Sequence, residues 1–466
     1  MKEKLDLMAD KPWLTPYQEN KPRKVIPAEL AEYIRKGLHY YFVNSSVTDK
    51  PFIYVYNKER GVYQNISENQ FKSFIKSFIP YSLVKMKDVA EVFSNIQTDN
   101  EKIIDEDLFN SDENIINFED GILDIRTMEL KPHSPNVLST IQIPAKYEDI
   151  KNSPAAAPVF EKYMLHLVDN DMEKYDIIMQ YMGLCISNIY GFRTKKVLFL
   201  VGEGNTGKSQ IKKLIENILG NENISTTDLK ELNERFGTSS IYQKRLVGCN
   251  DMSYQRISDM SLFKSLTGGD KIMFEFKSKT SFPALFKGTF WFNCNELPLF
   301  GGDKGEWVYE RILPINCGHA VPEEERDPRL FEKLWEEKDT IIRMALYYLK
   351  ILIENDFKFK IPKDSKGKLS EYKTRNNTLL SFIDECCEIN IEGNIYGRTK
   401  KSDFKKAYYK WCDINNNGKG KLKTKEIEEI LEGKFKETYG LNNGYKVLNN
   451  VKIIQEEAEA LGVYLN

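Results

Sequence analysis

Residues 195–220 read KKVLFLVGEGNTGKSQIKKLIENILG, and this stretch decides the fold. The apolar run 197–201 predicts a buried strand, and the spacing of apolar residues over 210–219 predicts a helix that ends at Gly220. Between them, residues 202–209 (GEGNTGKS) fit the pattern GxxxxGK[ST]. Strand, loop and helix in this order predict a cradle in which backbone N–H groups and the amino-terminal end of a helix face phosphates.

The side chains of this loop have separate predicted roles. Lys208 is expected to reach the β- and γ-phosphates of ATP, and Ser209 is expected to bind Mg²⁺. ATP and Mg²⁺ are therefore the predicted cofactors. The residues predicted to bind the nucleotide are Gly202, Gly204, Asn205, Thr206, Gly207, Lys208 and Ser209. The loop alone leaves kinases, GTPases, transporter ATPases and helicases open.

Composition narrows the setting of this loop. The chain has 466 residues, enough for two to four domains, with 41% hydrophobic and 29% charged residues, a balance typical of globular proteins. No apolar run approaches the roughly 20 residues that cross a bilayer, and the amino terminus lacks an apolar signal core. Seven cysteines without a repeated CxxC pair favour a reduced, cytoplasmic protein. The net charge of -2 means that nucleic-acid binding would need local basic patches.

Two later apolar runs end in polar residues that suit nucleotide chemistry. Residues 244–251 (KRLVGCND) predict a strand that ends in Asp251, the type of acid that lies beside a metal at a strand's carboxyl end. Residues 290–298 (FWFNCNELP) predict another strand, after which Asn295 could hold the attacking water or sense the γ-phosphate. An acid that caps a strand and an asparagine that forms a turn are the structural alternatives.

The order of these motifs resembles that of superfamily 3 helicases. After the loop and the acid come 266–270 (LTGGD), the Asn295 strand and Trp307-x-x-x-Arg311. Residues 117–124 (NFEDGILD) with 132–135 (PHSP) are similar to the amino-terminal region of the poxvirus-type and satellite-phage primase–helicase branch, and 408–412 (YYKWC) to its carboxyl-terminal unit. Within that branch, the chain looks most like the self-loading replication initiator helicases of staphylococcal mobile islands.

The resemblance implies a fold and a set of roles. It implies an α/β, AAA+-like P-loop ATPase core with a parallel sheet, preceded by an α+β region and followed by a winged-helix domain. It implies a homohexameric ring in which Arg311 reaches the γ-phosphate of the neighbouring subunit. The alternative for Arg311 is a surface charge or a salt bridge within its own subunit. Relatives often carry two acids where this chain has Asn250 and Asp251, so either Asp251 serves alone in positioning metal and water or a base comes from elsewhere.

Five units are predicted along the chain. They are an α+β region over 1–95, the family's amino-terminal region with a helical collar over 96–192, the ATPase over 193–330, a helical lid over 331–388 and a winged helix over 389–466.

Basic residues in two of these units are candidates for DNA contact. In the ATPase, Lys277 and Lys279 would lie on a hairpin that projects into the ring channel, with Lys264 near the channel or the nucleotide. In the carboxyl-terminal unit, helix, turn, helix and hairpin predict a winged helix whose second helix reads the major groove. The candidate residues there are Lys400, Lys401, Lys423 and Lys425. A solvated hairpin face and a protein-binding winged helix are the alternatives.

We therefore expect an ATP-dependent DNA helicase, 3′-to-5′ by family, that acts in replication initiation of a mobile element or phage. The expected partners are single-stranded DNA in the channel, origin duplex at the carboxyl-terminal unit, and a polymerase or primase. The expected location is the cytoplasm of a bacterial host, and no membrane partner is expected. The alternative is a sequence-specific origin-binding initiator that uses ATP mainly as an assembly switch. A small-molecule P-loop kinase is a weaker option.

Overall fold

The computed structural model describes residues 11–18, 21–43, 51–252, 256–257, 260–277, 281–300, 306–376, 378–389, 399–416 and 421–464. Within these ranges the chain is a mixed α/β protein with one five-stranded parallel sheet near its centre. Smaller sheets lie before and after it. No helix of the described part is long and apolar enough to cross a membrane.

The amino-terminal region is a four-stranded sheet covered by helices. The sheet order is β3-β2-β1-β4, and β2 and β3 form the hairpin that the sequence predicts over 52–63. The second helix begins after Ser67, whose hydroxyl and Gln70 form a reciprocal cap. The elements are α1 Pro27–Gly37, β1 Tyr40–Val43, β2 Phe52–Asn57, β3 Val62–Ile66, α2 Glu68–Ser77, α3 Met86–Gln97 and β4 Ile103–Ile104.

A small antiparallel sheet and a helix pair follow. The sequence predicts continuous helix over 159–189, but the structure has two helices, because Asp171 caps the second one through the N–H groups of Glu173 and Lys174. That second helix is buried over most of its surface. The elements are β5 Ile115–Phe118, β6 Gly121–Asp124, β7 Glu129–Lys131, α4 Tyr147–Lys151, α5 Pro158–Leu167 and α6 Met172–Ile186.

The central sheet has the order β16-β8-β14-β10-β9, and its described pairings are all parallel. The strand predicted over 244–251 is shorter than expected, since only Leu246–Val247 pair in this sheet. The elements are β8 Val197–Val201, α7 Lys208–Leu219, β9 Ile224–Ser225, α8 Leu229–Leu232, β10 Leu246–Val247, β11 Arg256–Ile257, α9 Ser261–Gly268, β12 Lys271–Phe274, β13 Phe282–Leu285, β14 Thr289–Cys294, β15 Leu299–Phe300, α10 Glu306–Arg311 and β16 Ile312–Asn316.

A buried arginine joins this sheet to α6. Arg245 is 1% exposed, and its guanidinium donates to the carbonyls of Cys185, Ile189 and Lys287 at 3.1, 2.6 and 2.6 Å, and also to that of Leu184. Burial lowers the pKa of this guanidinium to about 10. The arginine satisfies carbonyls at the carboxyl end of α6, where the helix leaves acceptors unpaired.

The helical region after the sheet packs back on α6. One hydrophobic core runs from Ile116 to Leu352 and includes residues of three of the predicted units, so these units share a core. The linker 152–157 is held on α12, since Arg343 donates to the carbonyl of Ser153 at 2.6 Å. The elements are α11 Leu330–Glu336, α12 Lys338–Glu354, α13 Lys363–Asn376, α14 Thr378–Cys386 and β17 Cys387–Ile389.

The carboxyl-terminal unit has its own core, built on Phe382, Tyr408 and Trp411. Two helices are followed by a hairpin around the turn at 443–444, in the predicted order. The last strand of the chain pairs with β17, which ties the unit to the end of α14. The elements are α15 Lys401–Asn416, α16 Thr424–Phe435, β18 Tyr439–Asn442, β19 Tyr445–Leu448, β20 Val451–Ile453 and α17 Gln455–Ala460.

Candidate nucleotide site

The loop 202–207 connects β8 to α7, as the sequence predicts. Its first N–H, on Gly202, donates to the carbonyl of Cys294 at 3.2 Å, so the loop starts against β14. Gly207 has φ of 102°, and a Cβ there would lie 3.0 Å from the ring of Tyr163. The Tyr163 hydroxyl donates to the Gly207 carbonyl at 2.7 Å. Glycine is therefore required at 207 by backbone conformation and by the ring packed on it.

Lys208 folds back over this loop. Its ammonium donates to the carbonyls of Gly202 and Glu203 at 2.7 and 2.6 Å and to the Thr206 hydroxyl at 3.2 Å. The side chain is largely buried, at 7% exposed. These three acceptors are uncharged oxygens, so they orient the ammonium without neutralising it. An anion at the loop would meet an intact positive charge together with the amino-terminal end of α7.

An open cavity of about 870 Å³ lies beside the loop. It brings together Lys208, Ser209, Asp251 and Asn295, which the sequence places on three separate segments. Of the other loop residues named in the sequence analysis, Gly204, Asn205, Thr206 and Gly207 line it as well. The cavity is also lined by α5 and the segment 321–333, through Pro158, Val159, Lys162, Tyr163, His166, Val321, Glu325, Arg326, Asp327, Leu330 and Lys333.

Asp251 and Asn295 reach this cavity from neighbouring segments of the sheet. Asn295 follows β14 directly, and both side chains are exposed. Asp251 lies beyond the short strand β10, and the N–H of Met252 donates to the carbonyl of Asn293 at 2.8 Å. That bond aligns the segment of Asp251 with β14. Polar groups beyond the carboxyl ends of parallel strands are the usual ligand contacts of such sheets.

Asn293 is a site residue that the sequence analysis missed. It is fully buried in β14, and its amide nitrogen donates to the carbonyl of Lys208 at 2.9 Å and to the Asn250 side chain at 3.3 Å. Its amide oxygen accepts from the Trp291 indole at 3.1 Å. Asn293 thereby joins the start of α7 to the segment that carries Asp251. A buried asparagine within an otherwise apolar strand was the available signal.

Arg311 lies elsewhere. Its guanidinium donates to the Lys264 carbonyl at 2.5 Å and to the Thr267 hydroxyl at 2.8 Å, and it lies 5.1 Å from the Trp307 ring centre. The Lys264 ammonium is also 5.1 Å from that ring centre. Burial lowers the pKa of Arg311. Arg311 is absent from the described residues that line the cavity, so a single chain does not bring it to its own loop 202–207.

The hairpin of β12 and β13 is held by the amino-terminal region. Asp107 accepts the N–H of Leu285 at 3.0 Å and pairs with Lys271 at 2.5 Å, and Lys287 donates to the Asp107 carbonyl at 2.6 Å. Lys277 is exposed at the turn, and Lys279 lies outside the described residues. The hairpin base is thus fixed by Asp107.

The predicted DNA contacts of the carboxyl-terminal unit differ in their surroundings. Lys401 pairs with Glu428, and Lys425 lies 3.9 Å from Glu429. Lys423 is exposed just before α16, and the Lys400 ammonium lies 4.3 Å from the ring centre of Tyr445. Acids of α16 therefore offset the charges of two of these four lysines, Lys401 and Lys425.

Family models match two segments of the chain. Residues 18–167 match a model described as D5 N terminal like, and residues 200–311 match a family of unknown function (DUF5906). A relative named "Putative helicase 184R", from Invertebrate iridescent virus 6, is 22% identical over 330 residues. That alignment covers 62% of this chain and 33% of the relative, so this chain spans about a third of that protein.

Solved structures show the same fold at low identity. The A form apo structure of the NrS-1 C-terminal region has a TM-score of 0.51 and 13% identity over 92% of this chain and 100% of that one. The apo structure of the NrS-1 C-terminal region (305–718) has a TM-score of 0.51 and 15% identity over 91% and 99%. The likeness to the NrS-1 structures shows the fold alone, whereas the sequence similarities are to a D5 N terminal like model and to one viral protein named as a putative helicase. None of the names that these matches carry refers to a staphylococcal mobile island, so that finer resemblance stays a prediction.

Proposed function

We propose that this chain is a nucleoside-triphosphatase of the AAA+ kind that uses ATP to unwind DNA during replication. The observation that carries the proposal is the convergence of Lys208, Asp251 and Asn295 on one cavity. A cavity of about 870 Å³ falls within the range that small-ligand sites occupy. The phosphates would lie on the loop 202–207, and the nucleoside would extend between α5 and the segment 321–333.

The donor set fits a magnesium nucleotide. Ser209 and Asp251 both line the cavity and are both exposed to it, and a hydroxyl and a carboxylate are oxygen ligands of the type that Mg²⁺ takes. When bound, the metal would neutralise charge on the phosphates. Asp251 would hold the metal as a single acid, and Asn295, on the adjacent strand end, would hold the attacking water. Lys208 would turn its ammonium from the loop carbonyls to the phosphates.

We propose a ring, because Arg311 is missing from the cavity of its own chain. In a ring of identical subunits, the surface formed by Arg311, Trp307 and Lys264 would face the cavity of the next subunit. A positive charge supplied across an interface stabilises the transition state only after assembly. A homohexamer is the assembly that the resemblance implies. The alternative is that Arg311 only supports α9, through Lys264 and Thr267.

The unwinding activity rests on the relatives. The viral relative is named as a helicase, and the sequence resemblance adds the 3′-to-5′ direction, action on a mobile element or phage in a bacterial host, and a polymerase or primase as partner. The exposed Lys277 at the hairpin turn would contact the translocated strand. The second candidate, an origin-binding initiator whose ATPase is mainly an assembly switch, shares the same cavity and differs in lacking processive unwinding.

Mixing two inactive variants tests the shared site. Lys208→Ala and Arg311→Ala should each be inactive alone, and mixed oligomers should regain ATPase activity, since some interfaces then join an intact loop to an intact arginine. Arg311→Lys is the matched control for packing. Absence of any recovery in oligomers shown to be mixed would assign Arg311 to its own subunit. Strand displacement on forked DNA separates helicase from switch, because a switch displaces no strand while DNA binding persists.

A further inference from the structure

The carboxyl-terminal unit offers two surfaces to a nucleic acid: helix α16 and the β18–β19 hairpin. In the sequence analysis the second helix, α16, is the predicted reader. The charges that the structure places on the two surfaces differ in sign, and this difference separates them.

Helix α16 presents acids to solvent. Glu426, Glu429 and Glu432 are exposed, and Glu428 is half-buried and paired with Lys401. Lys425 is exposed but lies 3.9 Å from Glu429. Lys401 and Lys425 offset Glu428 and Glu429, but Glu426 and Glu432 leave the described part of this face with a net negative charge. A DNA strand carries one negative charge for each phosphate, so this face would repel the backbone that a groove-reading helix must approach.

The hairpin presents apolar, aromatic and basic groups without an acid. Residues 441–446 (LNNGYK) are all exposed, with Leu441 at 75% and Tyr445 at 55%. The turn has Asn443 and Gly444 with φ of 50° and 79°, and a Cβ on Gly444 would meet open space. The tip is therefore narrow and unobstructed, with Lys446 as its only charge.

Lys400 adds a second charge beside this tip. Its backbone bridges to Val447, and the neighbouring carbonyl of Thr399 accepts the N–H of Leu448 at 2.9 Å. Its ammonium lies 4.3 Å from the ring centre of Tyr445. One cation thus lies beside the exposed ring of Tyr445, and a sugar or base packed on that ring would place a phosphate next to Lys400. Lys446 is the next residue of the strand and is paired with Leu441, so its charge lies on the other face of the hairpin.

We propose that the β18–β19 hairpin, rather than helix α16, is the DNA-contacting surface of this unit. The inference rests on the proposed function and assigns its DNA contact to named residues. Tyr445 packs against a sugar or base, Lys400 holds the adjacent phosphate, and Lys446 holds a phosphate on the other face of the hairpin. Duplex and single-stranded DNA share this chemistry. The positive charge of the hairpin complements DNA, whereas the acids of α16 would suit a protein partner with a basic surface.

Fluorescence anisotropy with the full chain tests the assignment, using a DNA duplex of arbitrary sequence and a single strand of equal length, both without nucleotide. Tyr445→Ala and Lys446→Ala should each weaken binding about tenfold in at least one arm, the cost of one stacking contact or one phosphate contact with its salt dependence. The matched control Lys425→Ala removes an equally exposed lysine from α16 and should change binding less than twofold. The arm with the larger loss names the DNA form.

Two results would overturn the assignment. One is equal weakening by Lys425→Ala and Lys446→Ala, and the other is unchanged binding of both DNA forms by the Tyr445→Ala/Lys446→Ala double variant. DNA-independent ATPase activity should be intact in every hairpin variant. If the unaltered chain has no ATPase activity, the proposed function is wrong. The binding assay needs no ATP and still tests whether the hairpin contacts DNA.

Discussion

Lys208 and Lys401 are the same residue type in opposite surroundings. Lys208 is nearly buried, and the acceptors of its ammonium are two carbonyls and a hydroxyl. Lys401 lies on the surface of the carboxyl-terminal unit and pairs with Glu428. The acceptors around Lys208 are uncharged, so its positive charge is available to an incoming anion, whereas Glu428 offsets the charge of Lys401.

The comparison teaches that a count of basic residues does not locate a phosphate-binding surface. About a dozen basic residues lie between 398 and 436, yet acids of α15 and α16 hold several of them: Asp413 pairs with Lys421 at 2.7 Å, as Glu428 does with Lys401. Surface pairs of this kind contribute little stability, but they cancel the local field.

The largest expected effect is at Lys208. Lys208→Ala removes the ammonium that the loop carbonyls orient, and ATP hydrolysis should fall at least a hundredfold, the size of effect seen when one preorganised charge donor is lost. Steady-state ATPase assays measure it. The control Lys230→Ala removes an exposed lysine from α8 and should leave the rate within twofold. Equal rates in the two variants would break the comparison.

Glu106 extends the comparison from buried and surface lysines to a buried carboxylic acid. Glu106 is 5% exposed, and burial raises its pKa to about 7, with Asp107 and Asp105 adding to the rise and Lys287 and a hydrogen bond from Gln243 opposing it. Between pH 4.5 and about 7 the folded chain therefore keeps a proton that the unfolded chain releases. Stability should fall as pH rises through this window.

Glu106→Gln removes this dependence. Each tenfold change in proton affinity is about 1.4 kcal/mol, so between pH 5 and pH 8 the unaltered chain should lose about 3 kcal/mol more unfolding free energy than the variant. Urea unfolding at both pH values measures it. The exposed Glu101→Gln should follow the unaltered chain. A Gln variant with the original pH profile would show that Glu106 is charged in the folded state.

Asn293 should give a smaller effect with two components. Asn293→Ala leaves the Trp291 indole without its acceptor in a buried setting, which costs about 1–3 kcal/mol of stability. It also loosens the segment of Asp251, so kcat should fall about tenfold with KM nearly unchanged. Chemical unfolding and ATPase kinetics measure the two parts. Asn217→Ala, on the exposed side of α7, is the control, and a stability loss without a change in kcat would limit Asn293 to packing.

The smallest expected effect is at Lys401. Lys401→Ala breaks a half-buried surface pair with Glu428, which is worth about 1 kcal/mol at most, and it should change DNA affinity less than twofold. Anisotropy titration against Lys446→Ala provides the contrast. A tenfold loss in the Lys401 variant would mean that its pair with Glu428 opens on binding and that the comparison with Lys208 fails.

Much of the fold followed from local patterns. The strand before the loop 202–207, helix α7, the hairpin predicted over 52–63 and the strand pair predicted between about 434 and 454 are confirmed, because alternation, helical spacing and turn residues act within a few positions. The break of the helix predicted over 159–189 was missed, although Asp171 is a strong cap signal. The strand before Asp251 was overestimated, since its pairing is limited by its neighbours β9 and β14.

The site was predictable in its parts and not in its assembly. Asp251 and Asn295 were selected because each follows an apolar run, and the cavity contains both. Asn293 was missed because its role depends on the carbonyl of Lys208 and the side chain of Asn250, which are distant in sequence. The predicted roles of the individual site residues stay predictions until they are measured.

By itself the sequence determined the strand, the loop 202–207 and the helix that follows, because strand, glycine-rich turn and helix start are set by hydrogen bonds and backbone conformations among neighbouring residues. Only the tertiary structure decided which groups face that loop, which groups Arg311 contacts, and which lysines are paired with acids. The ion pair between Lys401 and Glu428 and the contact of Lys400 with Tyr445 join residues that are far apart along the chain. Electrostatic fields add over everything that is near in space, and nearness is a property of packing.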